Sequence, residues 1–191
     1  MRNSKIALFA LPAIVALLSV SVIATSIQTT PLSVPDFQDR STITGHVILQ
    51  VFDTQTGELK YKVEKHNLVV DVGLDEMAQA TFGVGGVGST SFDFVEIGTG
   101  AVAPTATDVA LGISACARIQ DVAPDVNSAI SGETSVSVIS SFDGGTCAGG
   151  ITEAGIFNAI SGNEMLARST FGVVTIGAGD TLNVNYTITI T

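Results

Sequence analysis

The sequence has few of the side chains that carry enzymatic chemistry. Its 191 residues include no tryptophan and two histidines, His46 and His66. A serine or cysteine hydrolase needs an imidazole base oriented by a third group, and the sequence contains no Gly-x-Ser-x-Gly elbow to place a nucleophile. The usual spacings of a zinc site, His-x-x-x-His and Cys-x-x-Cys, are also missing. We therefore interpret both histidines as polar strand residues and predict that the protein is not an enzyme.

Positive charge is also scarce. Eight Lys and Arg residues stand against eighteen Asp and Glu residues, which gives a net charge of −10. Nucleic-acid binding requires clustered basic residues that neutralise phosphates, and docking on anionic lipid has a similar requirement. The composition therefore argues against both classes of partner. Because 46% of the residues are hydrophobic, the chain can still bury a substantial core.

The N-terminus has the layout of a secretory signal. Arg2 and Lys5 precede an apolar run over residues 6–24, which ends in small residues suited to a signal peptidase. The run is also close to the ~20 residues that span a bilayer, so an uncleaved membrane anchor is the alternative. In both cases we expect the protein at the cell surface or outside the cell, and it would contact the membrane only through residues 6–24 if these are not cleaved. Removal of residues 1–24 would leave six basic and eighteen acidic residues, a net charge of −12.

The rest of the chain divides into a linker and one domain. Residues 25–41 contain Pro31 and Pro35, several polar residues and no sustained periodicity, which predicts an extended linker. Residues 42–191 form the predicted domain, and its final residues 181–191 alternate strictly between apolar and polar side chains. Alternation at period two is typical of a strand with one face in a core and the other in water.

The remaining patterns predict a mainly β domain. Residues 43–52 and 58–63 flank a turn-forming stretch and indicate a hairpin. Strands near 151–158 and 164–171 precede the closing strand, which suggests a C-terminal meander. Residues 123–132 indicate a turn-rich connection. About eight strands separated by Gly-rich turns are typical of an antiparallel β-sandwich of the jelly-roll or immunoglobulin-like kind.

One short helix is predicted near residues 73–82, where apolar residues recur at helical spacing and Gly83 follows. An N-terminal hydrophobic helix is expected in the signal or anchor segment. Residues 83–88 match G-x-G-x-x-G, but they follow a helix where the nucleotide fingerprint requires a strand. We interpret them as a connection.

Two cysteines, Cys116 and Cys147, are consistent with an oxidising exterior. A disulfide between them would close a loop of about thirty residues and stabilise the fold by roughly 3–4 kcal/mol on the chain-entropy model. The alternative is a pair of buried free thiols. The export signal favours the disulfide.

Carboxylates and one asparagine supply the other candidate sites. Asp53 and Asp143 lie in turns and are weak candidates for calcium ligands, although the spacing of an EF-hand is missing. Glu153 is the candidate acid for a paired-carboxylate hydrolase, but we interpret it as a hydrogen-bond acceptor within the fold. Asn185 begins the sequence Asn-Tyr-Thr, an N-glycosylation motif on the polar face of the last strand.

Several short motifs resemble a known family when they are taken together and in order. The resemblance is to small β-sandwich proteins of phage and archaeal-virus tails, of the tail-fibre structural type, and it covers about residues 63–191. The motifs that carry it are Asn67 to Val70 with Gly73-Leu74, Ile97 to Gly100 with Asp108 and Leu111, Ile151 to Asn158, Met165 to Arg168 with Phe171, and Gly179 to Leu182.

The resemblance implies a structural or adhesive domain that is often oligomeric, with no catalytic residues to carry over. A secretory lead is foreign to tail proteins that assemble in the cytoplasm, so the sequence favours a cell-surface protein built on a similar fold. We expect it to work by self-association or by binding an envelope component or carbohydrate. The alternatives are a filament subunit in which residues 25–41 donate a strand, a virion tail component, and a secreted hydrolase.

Overall fold

The computed structural model describes residues 42–83, 91–130, 132–162 and 164–191. The predicted signal or anchor helix, the linker and residues 84–90 lie outside this description. The described residues form nine strands and two helices. In chain order these are β1 (Ile43–Asp53), β2 (Leu59–Val69), α1 (Asp71–Phe82), β3 (Phe94–Gly98), β4 (Ile119–Gln120), β5 (Asp125–Ile130), β6 (Glu133–Asp143), α2 (Gly144–Cys147), β7 (Gly149–Phe157), β8 (Met165–Ile176) and β9 (Asp180–Ile190).

All nine strands belong to one antiparallel sheet with the order β4-β3-β7-β8-β2-β1-β9-β6-β5. The β2–β8 ladder consists of two residue pairs, Leu68–Arg168 and Val69–Ala167. This short ladder joins a four-stranded half, which ends at β8, to a five-stranded half, which begins at β2. The predicted mainly β, antiparallel fold is therefore confirmed. The separate sheets expected of a sandwich are instead joined into one curled sheet.

The curl brings strands from opposite ends of the sheet into contact. The Ser140 hydroxyl of β6 donates to the Ile119 carbonyl of β4 at 3.0 Å. The Ile139 N–H donates to the Asp121 carboxylate at 2.7 Å. The disulfide between Cys116, just before β4, and Cys147, in α2, links the same two regions, with 5.9 Å between the Cα atoms. The predicted disulfide is therefore confirmed.

The apolar core lies inside the curl, between the two halves of the sheet. Strand β9 contributes the fully buried Leu182, Val184 and Tyr186, and β1 contributes Val47 and Leu49. These residues alternate along their strands with partly exposed ones, as the period-two pattern predicts. Burying each such side chain contributes about 1.5–3 kcal/mol.

The closing strand β9 is interior to the sheet. It pairs with β1 from Ile43–Ile190 to Asp53–Asp180 and with β6 from Thr134–Ile190 to Asp143–Thr181. The predicted meander is therefore wrong at its last step, because β9 does not pair with β8. The turn before Asp180 carries the chain from one half of the sheet to the other, and a turn signal does not encode which strand the chain will join.

Helix α1 confirms the one predicted helix and begins two residues earlier than expected. It ends at Gly83, which adopts the left-handed conformation with φ of 64°. Gly73 places the helix directly on β8, since a Cβ atom at this position would lie 2.5 Å from the Cα of Leu166. The helix thus packs on the sheet, as its short length requires.

Two local predictions are wrong. Residues 123–132, predicted as a connection, contain the edge strand β5, and the turn after Asp143 is the four-residue helix α2. The Asp143 side chain accepts from the Gly145 N–H at 3.0 Å and caps this helix. Among the described residues, no helix is both long and apolar enough to cross a membrane.

Candidate functional site

The most heavily hydrogen-bonded group in the core is the carboxylate of Glu153, which is fully buried in β7. Its Oε1 accepts from the backbone N–H groups of Gly100 at 2.7 Å and Ile113 at 2.9 Å. Its Oε2 accepts from the Gly112 N–H at 3.0 Å and from Arg168 Nε and Nη2 at 2.9 and 2.6 Å. Five donors therefore surround a carboxylate that offers about four lone-pair sites.

Arg168 of β8 links this carboxylate to a second one. Its Nη1 donates to Asp108 Oδ2 at 2.7 Å, and the arginine is only 3% exposed. Asp108 also accepts from Thr105, through the hydroxyl at 2.7 Å and the backbone N–H at 3.0 Å. The guanidinium therefore bridges two carboxylates, one on the sheet and one on the loop after β3.

The surroundings keep all three groups charged. Burial by itself would raise the pKa of Glu153, but the N–H donors of Ile113 and Gly112 and the Arg168 guanidinium outweigh burial and lower it. The pKa of Asp108 is also lowered, because hydrogen bonds from Thr105 and Arg168 outweigh its desolvation. The pKa of Arg168 is raised, since its two carboxylate partners outweigh the effect of burial.

The network fastens the loop between β3 and β4 to the sheet. Beyond the three amides on Glu153, the Thr99 N–H donates to the Ile113 carbonyl at 2.8 Å, and the Thr152 hydroxyl donates to the Gly100 carbonyl at 2.9 Å. A Cβ atom at Gly100 would lie 2.3 Å from Glu153 Oε1, so glycine is required for this close approach. The arrangement is an anchor for a loop.

The motifs that carry the family resemblance meet at this network. Gly100, Asp108, Glu153 and Arg168 come from three separate stretches of those motifs and are joined in series by hydrogen bonds, from Gly100 to Glu153, from Arg168 to Glu153 and from Arg168 to Asp108. The prediction that Glu153 accepts hydrogen bonds within the fold agrees with its geometry. The sequence does not single out Arg168 as the partner of Glu153, because each residue is flanked by an alanine on one side and by a hydroxyl side chain, Thr152 or Ser169, on the other.

A second arginine, the partly buried Arg118, fixes the turn between β7 and β8. Its Nε donates to Glu96 Oε2 at 2.7 Å, and its Nη1 and Nη2 donate to the carbonyls of Ala159 and Gly162, each at 2.9 Å. The guanidinium carbon lies 3.4 Å from the centroid of the Phe157 ring, in a cation–π contact. This arginine also serves the architecture.

The calcium candidate Asp53 is already engaged by a cation of the protein itself. Its Oδ1 accepts from the N–H groups of Gln55 and Thr56, both at 3.0 Å, and Lys60 Nζ lies 2.8 Å from its Oδ2. Lys60 also lies 2.6 Å from Asp180. The hydrogen bond from Lys60 is the main reason that the pKa of Asp53 is held well below its usual range. A lysine thus ties the β1–β2 turn to the start of β9.

The other predicted candidates are dispersed. Asp143 caps α2, and His46 and His66 are cross-strand partners on β1 and β2 with ring centroids 5.6 Å apart. Asn185 lies in the middle of β9, opposite Ile48 on one side. Within the described ranges, no three His, Cys, Asp or Glu residues are arranged to hold a metal ion.

Comparison of the chain with protein-family models, with curated proteins and with solved structures found no match.

Proposed function

We propose that this protein is an exported, non-enzymatic structural domain that acts at the cell surface by self-association or by binding another surface component. The observation that carries the proposal is that the charged groups of Glu153, Arg168 and Asp108 bind a loop of the protein and one another. Glu153 and Arg168 are the charged residues most removed from water among the described residues, at 0% and 3% exposed, and their hydrogen bonds go to a loop, to each other and to the partly buried Asp108. Removing one partner of such a buried pair typically costs about 3–5 kcal/mol, so the network serves rigidity.

The covalent link between the sheet ends supports an extracellular location. Disulfides persist in oxidising compartments, and Cys116–Cys147 joins the regions of β4 and β6, which also meet through side-chain hydrogen bonds. A disulfide that holds the curled sheet closed suits a protein that works outside the cell. The two halves of the sheet face each other across one core, which is also the layering of the β-sandwich that we propose as its finer description.

A virion tail component is the second candidate. Support for it comes from the convergence of Gly100, Asp108, Glu153 and Arg168, because the motifs of the resemblance then describe one spatial unit. The genes beside this one separate the two candidates. Tail or capsid assembly genes on both sides would favour the virion role, whereas their absence would favour the cell-surface role.

The test of the main proposal uses the native protein from the cells that produce it. We expect N-terminal sequencing and surface labelling to find it exported, and sizing to find it either self-associated or bound to envelope material or carbohydrate. An intracellular protein would contradict the proposal, as would an exported monomer that binds neither envelope nor carbohydrate. Glu153→Gln is the control for a hydrolase, since a hydrolytic activity that depends on this carboxylate would require a catalytic function.

A further inference from the structure

The hairpin of β1 and β2 opens into a cleft at one end. Its last residue pair is Gly45–Asn67. Beyond this pair β2 turns to join β8, whereas β1 stays beside β9. A cleft of about 550 Å³ lies between the diverging strands. Residues of β1, β2 and α1 line the cleft, among them Ile43, Val69, Leu68 and Leu74.

Both strands direct backbone groups into this cleft. The backbones of Thr42 and Thr191 exchange two hydrogen bonds, at 2.8 and 3.0 Å. Because hydrogen-bonded and non-bonded residue pairs alternate along an antiparallel ladder, the N–H and C=O groups of Ile43 point away from β9. The Val70 N–H donates to a carbonyl of β8 at 2.9 Å, so Val69 turns its own groups away from β8 in the same way. The cleft is therefore bordered by two strand edges.

The cleft has an apolar wall, which is formed by the half-exposed Leu68 of β2 and Leu74 of α1. The Asn67 amide packs on Gly45, since a Cβ atom at Gly45 would lie 1.7 Å from the amide oxygen, and both polar atoms of this amide are shielded from solvent. The side chains that an incoming segment can reach are therefore the two leucines.

The linker has the reach to fill this cleft in another copy of the chain. It comprises the seventeen residues 25–41 and joins the domain at Thr42, beside Ile43 at the mouth of the cleft. At about 3.3 Å per residue, an extended segment of this length spans roughly 55 Å. A domain of this size has a radius of gyration of about 15 Å.

The two prolines of the linker leave one strand edge intact. In an extended strand, successive residues direct their peptide groups to opposite edges. Pro31 and Pro35 would face the same edge as Ser33, so the missing N–H groups fall on that edge alone. The edge of Leu32 and Val34 would retain its donors, and these two apolar side chains would share one face.

We infer that residues 25–41 of a second copy bind in this cleft beside β1, with Leu32 and Val34 placed against Leu68 and Leu74. The inference deepens the proposed assembly function and rests on it. Because the segment leaves its own domain at the mouth of the same cleft, two copies exchange segments reciprocally. Such an exchange closes with two-fold symmetry and yields a dimer.

A photocrosslink from the cleft tests the occupant. Cells export two copies of the full chain together: one carries a photoreactive amino acid in place of Leu74, and the other carries Ser33→Thr as a mass label. We expect crosslinked peptides from residues 25–41, with the Ser33→Thr label present in about half of the products. Crosslinked peptides that all lack the label would mean that the cleft holds its own chain, and no linker peptide would mean that something else fills it. Either result overturns the inference.

The control places the photoreactive group at Leu59, which is exposed at the far end of β2, and should capture no linker peptide.

The mass of the protein in solution tests whether the exchange closes into a dimer. We expect the exported protein to be a dimer, Leu32→Asp and Val34→Asp to give folded monomers, and the matched Ser33→Asp to remain dimeric. Assemblies that survive Leu32→Asp would overturn this inference but leave the proposed surface function standing. A polymer that retains the crosslink would overturn the reciprocal closure. A wild-type monomer that binds no envelope material would overturn both the inference and the function.

Discussion

Glu153 and Arg168 lie on neighbouring strands and form a double hydrogen bond in the interior, with Arg168 Nε and Nη2 at 2.9 and 2.6 Å from the same Glu153 oxygen. The glutamate is fully buried and the arginine is 3% exposed. A pair so removed from water is stable only when its other positions are also satisfied, and here three loop amides and Asp108 satisfy them.

Glu153→Gln should destabilise the protein by about 3 kcal/mol, because it removes a buried charge that faces Arg168 and three amide donors. Denaturant unfolding measures the loss. Amide hydrogen exchange should accelerate at Gly100 and Ile113, whose N–H groups donate to this carboxylate. The exposed Glu133→Gln is the matched control and should change stability by less than about 0.5 kcal/mol. Unchanged exchange at both amides would show that the loop does not depend on Glu153.

The network should make stability fall in acid. The pKa values of Glu153 and Asp108 are lowered in the folded state, so their contribution is present above the ordinary carboxyl range and is lost as pH falls through the folded values. Unfolding curves between pH 7 and pH 2 measure this decline. The loss should set in below about pH 4, where carboxyls of the unfolded chain take up protons.

Arg168→Met should weaken this trend. Without the guanidinium, only the remaining hydrogen bonds from the loop oppose the desolvation of the two carboxylates, so their folded pKa values rise relative to wild type. The loss of stability is fully present at neutral pH and shrinks as pH falls and the carboxyls take up protons. We expect the difference in unfolding free energy between wild type and Arg168→Met to be several kcal/mol at pH 7 and clearly smaller at pH 4. A pH-independent difference would mean that packing, rather than charge, dominates at Arg168.

Tyr186→Phe should stabilise the protein. Tyr186 is fully buried in β9, its hydroxyl has no hydrogen-bond partner among the described residues, and burial raises its pKa. Removing an unpaired buried hydroxyl relieves a cost of about 1 kcal/mol. The measurement is the denaturation midpoint, with the half-exposed Tyr61→Phe as a control that should change little. A loss of stability would reveal a partner for the hydroxyl, such as a buried water.

Gly73→Ala should destabilise the contact between α1 and β8. The new Cβ atom would lie 2.5 Å from the Cα of Leu166, so backbone has to move. Overpacking of this kind costs about 1–3 kcal/mol, whereas the helix propensity of alanine alone would stabilise α1. Asp75→Ala changes an exposed residue of the same helix and should be nearly neutral. Increased stability of Gly73→Ala in thermal unfolding would contradict the observed helix packing.

The sequence by itself determined the local elements. The alternation in residues 181–191, the hairpin around Asp53 and the apolar spacing before Gly83 are short-range patterns, and each produced the expected strand, turn or helix. Period and turn chemistry depend on neighbouring residues, so they can be read without knowledge of the fold. The cysteine pair was predictable for a different reason, namely that one pairing exists for two cysteines.

Only the tertiary structure decided the partners. The turn before Asp180 did not indicate that β9 would lie between β1 and β6, because strand order depends on contacts distant in sequence. In the same way, Glu153 meets loop amides forty and more residues away, and no local pattern encodes that distance. The cleft beside Asn67 likewise exists because β2 leaves β1 to join β8, so its open edges are a property of the whole sheet.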